Sequence, residues 1–434
     1  MFPAPLFLII LIVTTPVTLI FDGQIIYGLV TAAVAVSVAI VAIRIRPGEA
    51  SFLVTIIRPV IVVAAVPALW MLVQVLPLKT VGLAHPIWES AATALGRPVA
   101  GSISIDPGDT LISLIRYLSA VAVAFVAAAV AVDRRRAEWI LVALTVATTL
   151  IALMVLPAGF GGLTFLNNSD GGPIANAATD SVALGVILAL VTALHTFERR
   201  QTQRTDRGGL TVWFWLVFVT CLVALAICAF VLIVSATSQT YFSVACGVAT
   251  LAVAVVVRRF NLGPWGYSAT ISIALLVAIA AIALRSDGRT VDLTLAFATH
   301  ASAPLIAITQ RVLTETNWAG TGAGTFAAVL PIYRDIDELA VGPMAPTTAA
   351  AIAVEMGRPF LWVNVMAAIA LTVTLLRASL RRGRDYLYST AGASCVVAVT
   401  LLAFGNAGLL STPVSIIAIA VVGIAIGQSK SRSI

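Results

Sequence analysis

Apolar runs of about 20 residues recur along almost the whole chain, and no other feature constrains the fold as strongly. A helix needs about 20 apolar residues to cross a hydrocarbon core roughly 30 Å thick. Of the 434 residues, 60% are hydrophobic and 10% are charged, whereas soluble domains carry about 25% charged residues. The sequence therefore predicts an all-α polytopic membrane protein and not an outer-membrane barrel, whose strands alternate apolar and polar residues.

The runs number about twelve, and one long interruption divides them. They lie near 4–20, 25–43, 52–76, 110–132, 139–156, 181–197, 210–234, 243–257, 267–284, 360–376, 386–404 and 412–427. We therefore expect transmembrane helices 1–9 in residues 1–284, a large loop in residues 285–359, and transmembrane helices 10–12 in residues 360–434.

Basic residues occupy every second connection between the runs. Since Lys and Arg near span ends stay in the cytoplasm, we expect these connections and both termini to be cytoplasmic and the large loop to be periplasmic. The net charge of +7 is then a topology signal, and we expect no nucleic-acid partner. The basic groups are Arg44 and Arg46, Arg134 to Arg136, Arg199, Arg200, Arg204 and Arg207, Arg258 and Arg259, Arg377, Arg381, Arg382 and Arg384, and Lys430 and Arg432.

The large loop carries helical patterns of its own. Leu305, Ile308 and Val312 repeat at helical spacing, which predicts a short amphipathic helix that also bears Arg311. A second helix is expected after Thr325 and a third over residues 347–356. The four cysteines, all inside apolar runs, and the absence of a carboxylate cluster predict neither a disulfide framework nor a metal site.

Several local patterns occur in a characteristic order. Before the fourth run stand Trp70, Leu76 and Pro77, then SISIDP at 102–107, and before the sixth run stand TFLNN at 164–168 and ANAAT at 175–179. The large loop contains Arg311, Trp318, GTGAGTF at 320–326, PIY at 331–333, and Glu355 with Gly357. In this order and topology the chain resembles the O-antigen ligase and O-antigen polymerase superfamily of envelope glycan enzymes.

The resemblance implies a GT-C-like fold in the bacterial inner membrane and a reaction without metal or cofactor. The donor would be a glycan on undecaprenyl pyrophosphate, and the acceptor a hydroxyl of a second glycan or a lipid, with membrane lipids and other polysaccharide-assembly proteins as further partners. Two departures leave polymerase and ligase both open. The ligases carry a histidine shortly before E-x-G, where GPMAPTTAAAIAVEMG has none, and an arginine where Gln239 stands.

The chemistry implied by the resemblance needs cations for a leaving pyrophosphate, a base for a hydroxyl, and donors and acceptors for sugar. Arg311 and His300 are the candidate catalytic residues. The alternatives are an Arg311–Glu315 pair on the helix surface and a solvated loop histidine. The candidate substrate-binding residues are Arg116, Asn167, Asn176, Gln239, Arg289 and Arg334.

Five of these six binding residues have a simpler explanation. Arg116 lies inside the fourth run and could extend its side chain to the outer surface near Asp109. Arg289 and Arg334 have acidic neighbours, and Asn167 and Asn176 stand in turn-forming sequence. Two other functions remain open, a twelve-span transporter and a non-catalytic scaffold of polysaccharide assembly.

Overall fold

A computed structural model of the chain describes residues 3–21, 23–45, 47–77, 82–156, 173–203, 211–260, 292–298, 301–335, 342, 344–381 and 385–429. These residues are almost entirely helical. In chain order the helices are α1 Pro3–Val13, α2 Thr15–Ile20, α3 Gln24–Arg44, α4 Pro47–Val75, α5 Ile87–Leu95, α6 Pro107–Ala131, α7 Arg134–Val155, α8 Pro173–Gln203, α9 Thr211–Ser235, α10 Ser238–Arg259, α11 Ala303–Glu315, α12 Phe326–Val329, α13 Thr348–Glu355, α14 Arg358–Arg381, α15 Tyr386–Gly405 and α16 Thr412–Gly427.

Nine helices in the described part of the chain are long and apolar enough to cross a membrane: α3, α4, α6, α7, α8, α9, α10, α14 and α15. Two further apolar helical segments are shorter. One is Pro5–Ile20, which covers most of α1 and all of α2, and the other is Thr412–Gly427, which is α16. The predicted span at 267–284 lies outside the described residues. The all-α polytopic membrane fold is confirmed. The predicted count of twelve spans is not confirmed, because the described residues hold nine long and two shorter apolar helices.

Helix α8 lies at the centre of the bundle, and 83% of the residues in its most apolar 18-residue stretch are buried. Close helix packing in an apolar solvent relies on small residues, because they let backbones approach. A Cβ at Gly423 would lie 2.5 Å from the carbonyl oxygen of Ala124, and one at Gly392 would lie 2.3 Å from the Cβ of Ala425. The predicted start of this span at 181 is wrong, because the helix begins at Pro173 and so includes Asp180.

The described basic connections gather at one end of the bundle. Arg134 pairs with Asp385 at 2.9 Å, Arg199 pairs with Glu138, and the guanidinium of Arg258 lies 3.9 Å from the centroid of the Tyr386 ring. The prediction that every second connection lies on the same side of the membrane requires these connections to meet at one end of the bundle, as they do.

The opposite end carries a compact layer built from residues 292–298, 301–335 and 344–357, here called the loop layer. Helix α11 confirms the predicted amphipathic helix: it buries Ile308 and Val312 in a small hydrophobic core together with Phe326, Leu330 and Val354. Helix α13 confirms the third predicted helix, and the hydroxyl of Thr347 caps it by accepting from the N–H of Ala350.

Candidate functional site

Gln74, near the end of α4, fastens the loop layer to the bundle. Its side chain is fully buried, and its amide nitrogen donates to the carbonyl oxygens of Ala319 at 3.1 Å and Glu355 at 2.9 Å. Its amide oxygen accepts from the N–H of Ala323 at 3.2 Å. One side chain from a membrane helix therefore holds two segments of the loop layer that are far apart in sequence.

Glycines make this close contact possible. Gly320, Gly322, Gly324 and Gly357 all have positive φ angles, of 78°, 110°, 82° and 95°, a region that side-chain-bearing residues seldom adopt. A Cβ at Gly357 would lie 1.9 Å from the carbonyl oxygen of Trp318. The GTGAG stretch is therefore a tight turn that packs against the start of α14.

Glu355 places a carboxyl group inside this turn. The residue as a whole is partly buried, and its Oε1 accepts from the N–H of Phe326 at 3.2 Å. Burial raises the pKa of this carboxyl to about 7, although hydrogen bonds from the N–H groups of Gly324 and Phe326 oppose the rise and the nearby charge of Asp109 adds to it. A carboxyl with such a pKa can exchange a proton near neutral pH.

Two tryptophans flank the same turn. The ring centroids of Trp70 and Trp318 are 6.2 Å apart, and the indole N–H of Trp70 donates to the carbonyl oxygen of Met356 at 3.2 Å. Trp318 remains 57% exposed. An exposed aromatic side chain therefore stands just before the turn, at the end of the bundle that bears the loop layer.

The predicted arginines of the loop layer have partners other than those expected. Arg311 on α11 pairs with Asp335 at 3.1 Å, so the alternative pair with Glu315 is wrong. Both partners are largely exposed. The guanidinium of Arg334 donates to the carbonyl oxygen of Gly342 at 2.9 Å, and not to its acidic neighbour Asp335.

Arg358, the first residue of α14, directly follows the loop layer and contacts it, although it was not among the predicted site residues. It pairs with Asp292 at 3.0 Å and donates to the carbonyl oxygen of Leu313 at 3.0 Å. Leu313 belongs to α11, the helix that carries Arg311, so Arg358 contacts that helix. The predicted site residues His300, Asn167 and Arg289 lie outside the described residues.

Asn176 lies on α8 beside a fully buried acid, Asp180. One carboxylate oxygen of Asp180 accepts from the side-chain nitrogen of Asn406 at 2.9 Å, and its other oxygen is buried with no hydrogen-bond partner among the described residues. A Cβ at Gly408 would lie 2.3 Å from that second oxygen and 2.8 Å from the carbonyl oxygen of Asn176. The segment at 405–410 is therefore packed closely against α8.

Gln239, at the start of α10, lies next to the same segment. Its side chain is buried, its Cγ would lie 2.7 Å from a Cβ at Gly405, and its amide donates to the carbonyl oxygen of Leu401 at 3.5 Å. Asn406 in turn accepts from the backbone N–H and the hydroxyl of Thr348 at the start of α13. Asn176 and Gln239 thus meet at one cluster, which contacts the loop layer but does not include Arg311.

Arg116 lies apart from both groups. It lines a cleft between α3, α6 and the start of α16, and its guanidinium lies 3.9 Å from the centroid of the Tyr27 ring. The five predicted site residues that the structure describes therefore do not form one constellation. Asn176 and Gln239 lie at one cluster, Arg311 and Arg334 lie on the loop layer, and Arg116 stands in its own cleft.

Sequence reasoning missed Gln74, Asp180 and Asn406 as organising residues. A signal existed for the first two, because polar side chains within or beside apolar runs are costly unless they have partners. Among the residues that the structure describes, no group of three or more His, Cys, Asp or Glu side chains is arranged to hold a metal ion. No protein-family model matches the chain, and no curated protein matches its sequence.

Proposed function

We propose that the chain is a membrane glycosyltransferase that moves a glycan from a lipid pyrophosphate to a hydroxyl of an acceptor glycan or lipid. The observation that carries this proposal is the Glu355 turn, that is, the glycine turn at residues 320–324 together with Glu355. The carboxyl group of Glu355 has a pKa of about 7 and accepts from the N–H of Phe326, and Gln74 ties its backbone to the membrane helix α4. The order of sequence motifs described above supports the same assignment and leaves both polymerase and ligase open.

The reaction assigns a distinct task to each group. The acceptor hydroxyl attacks the anomeric carbon of the donor, its proton passes to the Glu355 carboxylate, and a new glycosidic C–O bond forms. The bond from that carbon to the pyrophosphate breaks, and the pyrophosphate leaves with the electron pair. Arg311 and Arg358, whose guanidinium groups can bind phosphate oxygens in a bidentate manner, stabilise the leaving anion.

Aromatic and carboxyl groups suit a sugar acceptor. The exposed indole of Trp318 offers a flat apolar surface for a sugar ring. The carboxylate of Asp109, which lies close enough to affect the pKa of Glu355, can accept hydrogen bonds from sugar hydroxyls. Under this assignment the acceptor lies over Trp318, and the lipid donor approaches from the bilayer.

The test is a gene deletion complemented with variants, followed by analysis of cell-envelope and secreted glycans. The wild-type chain should restore glycan extension or attachment, whereas Arg311→Ala and Glu355→Gln should not, at unchanged protein abundance. Arg97→Ala, which removes an exposed arginine after α5, is the matched control and should restore the glycan fully. Loss of long chains with single repeats still attached would indicate a polymerase, and accumulated lipid-linked polymer a ligase. Normal glycan in the deletion strain would contradict the proposal.

Asp180 favours a second candidate, a membrane transporter. A fully buried carboxyl with an oxygen lacking a hydrogen-bond partner in the described structure is an arrangement that marks ion and proton pathways in membrane helices. For a transporter, Asp180→Asn should abolish solute uptake and leave the glycan profile unchanged. For the glycosyltransferase, the same variant should leave solute uptake unchanged.

A further inference from the structure

The cleft at Arg116 is built from the ends of three apolar helices. Its polar lining consists of Tyr27, Thr31, Arg116, Ser119, Thr412 and Ser415, the remaining lining is apolar, and it holds about 460 Å³ of empty space including its open side. Arg116 itself is exposed on the surface of α6, a helix long and apolar enough to span the membrane. The open side of the cleft therefore faces lipid.

The position of the guanidinium along the bundle follows from its neighbours. Tyr27 is the fourth residue of α3, and Thr412 is the first residue of α16. The side chain of Arg116 extends from the third turn of α6 toward the N-terminal end of that helix, the direction in which helical side chains lean, and reaches the Tyr27 ring. The guanidinium thus lies where spanning helices begin, at the depth of lipid headgroups, which is also where tyrosine rings concentrate.

Within the described part of the chain, no acid balances the charge of this guanidinium. No carboxylate lines the cleft, and none of the described acidic residues forms an ion pair with Arg116. The Tyr27 ring attracts the cation but is neutral. The first turn of α16, whose backbone N–H groups carry partial positive charge, adds to the positive potential of the cleft. A charge at the edge of the hydrocarbon is costly without a counter-ion.

We propose that this cleft binds the phosphate group of an anionic glycerophospholipid from the surrounding bilayer. One arginine matches the single negative charge of a phosphodiester, and its planar fork of donors fits two phosphate oxygens. The acyl chains then lie along the apolar lining of the cleft, which includes Val30 on α3 and Ala120 on α6. The site is separate from the Glu355 turn and does not depend on the glycosyltransferase assignment.

The test measures lipid association with the purified full-length chain in vesicles of phosphatidylcholine. Spin-labelled phosphatidylglycerol, whose phosphodiester charge is not offset by a cationic headgroup, should show an immobilised fraction beyond that of spin-labelled phosphatidylcholine. Arg116→Gln should weaken this preference about tenfold, the loss expected when one charge-assisted contact is removed. Arg258→Gln is the matched control, since Arg258 also lies 3.9 Å from a tyrosine ring centroid but at the other end of the bundle, and it should keep the preference.

Three results would overturn the proposal. The first is equal immobilisation of the two lipids by the wild-type chain. The second is displacement of phosphatidylglycerol by inorganic phosphate at similar concentration, because the site would then bind a free anion and not a lipid. The third is displacement by undecaprenyl pyrophosphate at concentrations more than tenfold lower, which would assign the cleft to a lipid pyrophosphate. If Arg116→Gln lowers the melting temperature, Arg116→Lys serves as the second variant. Because lysine keeps the positive charge, this variant must retain part of the preference for phosphatidylglycerol over phosphatidylcholine.

Discussion

Replacing Gln74 with leucine should release the loop layer from the bundle. The change keeps a side chain of similar volume but removes all three hydrogen bonds of the amide. The carbonyl oxygen of Glu355 retains the N–H of Gly322 as a donor, whereas Ala319 and Ala323, both almost fully buried, lose this partner. In the variant, two buried backbone groups, the carbonyl oxygen of Ala319 and the N–H of Ala323, lose their hydrogen bonds to this side chain.

The size of the effect follows from those two groups. An unpaired buried donor or acceptor costs about 1 to 3 kcal/mol, and the added apolar contact of leucine offsets part of that cost. A net loss of about 2 to 4 kcal/mol in the free energy of opening corresponds to a roughly 30- to 700-fold larger open fraction.

Amide hydrogen exchange in detergent or nanodiscs measures this opening directly. Exchange at residues 319–326 should accelerate by the same factor in Gln74→Leu, while exchange in the buried helix α8 stays unchanged. Gln24→Leu, at an exposed position at the start of α3, is the matched control and should leave the loop layer protected. Less than threefold acceleration in Gln74→Leu would show that the amide does not hold the layer.

Three further predictions concern the loop layer. Gly357→Ala should destabilise the chain by more than about 3 kcal/mol in thermal unfolding, because backbone strain and a steric clash combine there. In the control variant Gly342→Ala the added methyl group meets open space, so it should have no effect. Equal melting temperatures of the two variants would contradict the described turn. Because the folded-state pKa of Glu355 is raised to about 7, its protonated form contributes stability that is complete below about pH 4.5 and is lost as pH rises through 7. Exchange at residues 322–326, corrected for its intrinsic pH dependence, should therefore increase between pH 6 and pH 8, and Glu355→Gln should abolish the increase. Arg311→Ala breaks an exposed pair with Asp335 and should change the unfolding free energy by less than about 1 kcal/mol, so a large loss of stability would indicate a structural role.

Local sequence patterns predicted the helices of the loop layer well. The spacing of Leu305, Ile308 and Val312 anticipated α11, and the Thr347 cap anticipated α13, because both signals depend on neighbouring residues. The partner of Arg311 could not be found in this way. The sequence offers Glu315 one helical turn away, but the chain reverses after α12 and brings Asp335 to the arginine instead.

The anchors of the candidate site were harder to predict, since they depend on contacts between distant segments. Gln74 and Ala319 are 245 residues apart in the chain, and no local rule pairs them. Asp180 was assigned to a loop because the apolar run begins after it, although the helix starts at Pro173. Asn406 resembled an ordinary turn residue, yet its side chain bonds to Asp180 and its backbone to Thr348.

The most direct test of the proposed function is a transfer assay with the purified chain in liposomes. Radiolabelled lipid-pyrophosphate-linked glycan extracted from the deletion strain would be supplied as donor, together with envelope glycan or lipid from the same strain as acceptor. We expect polyprenyl pyrophosphate to be released in step with longer or newly attached glycan, and Glu355→Gln to release none. Donor left intact by the wild-type chain would contradict the assignment of glycosyl transfer.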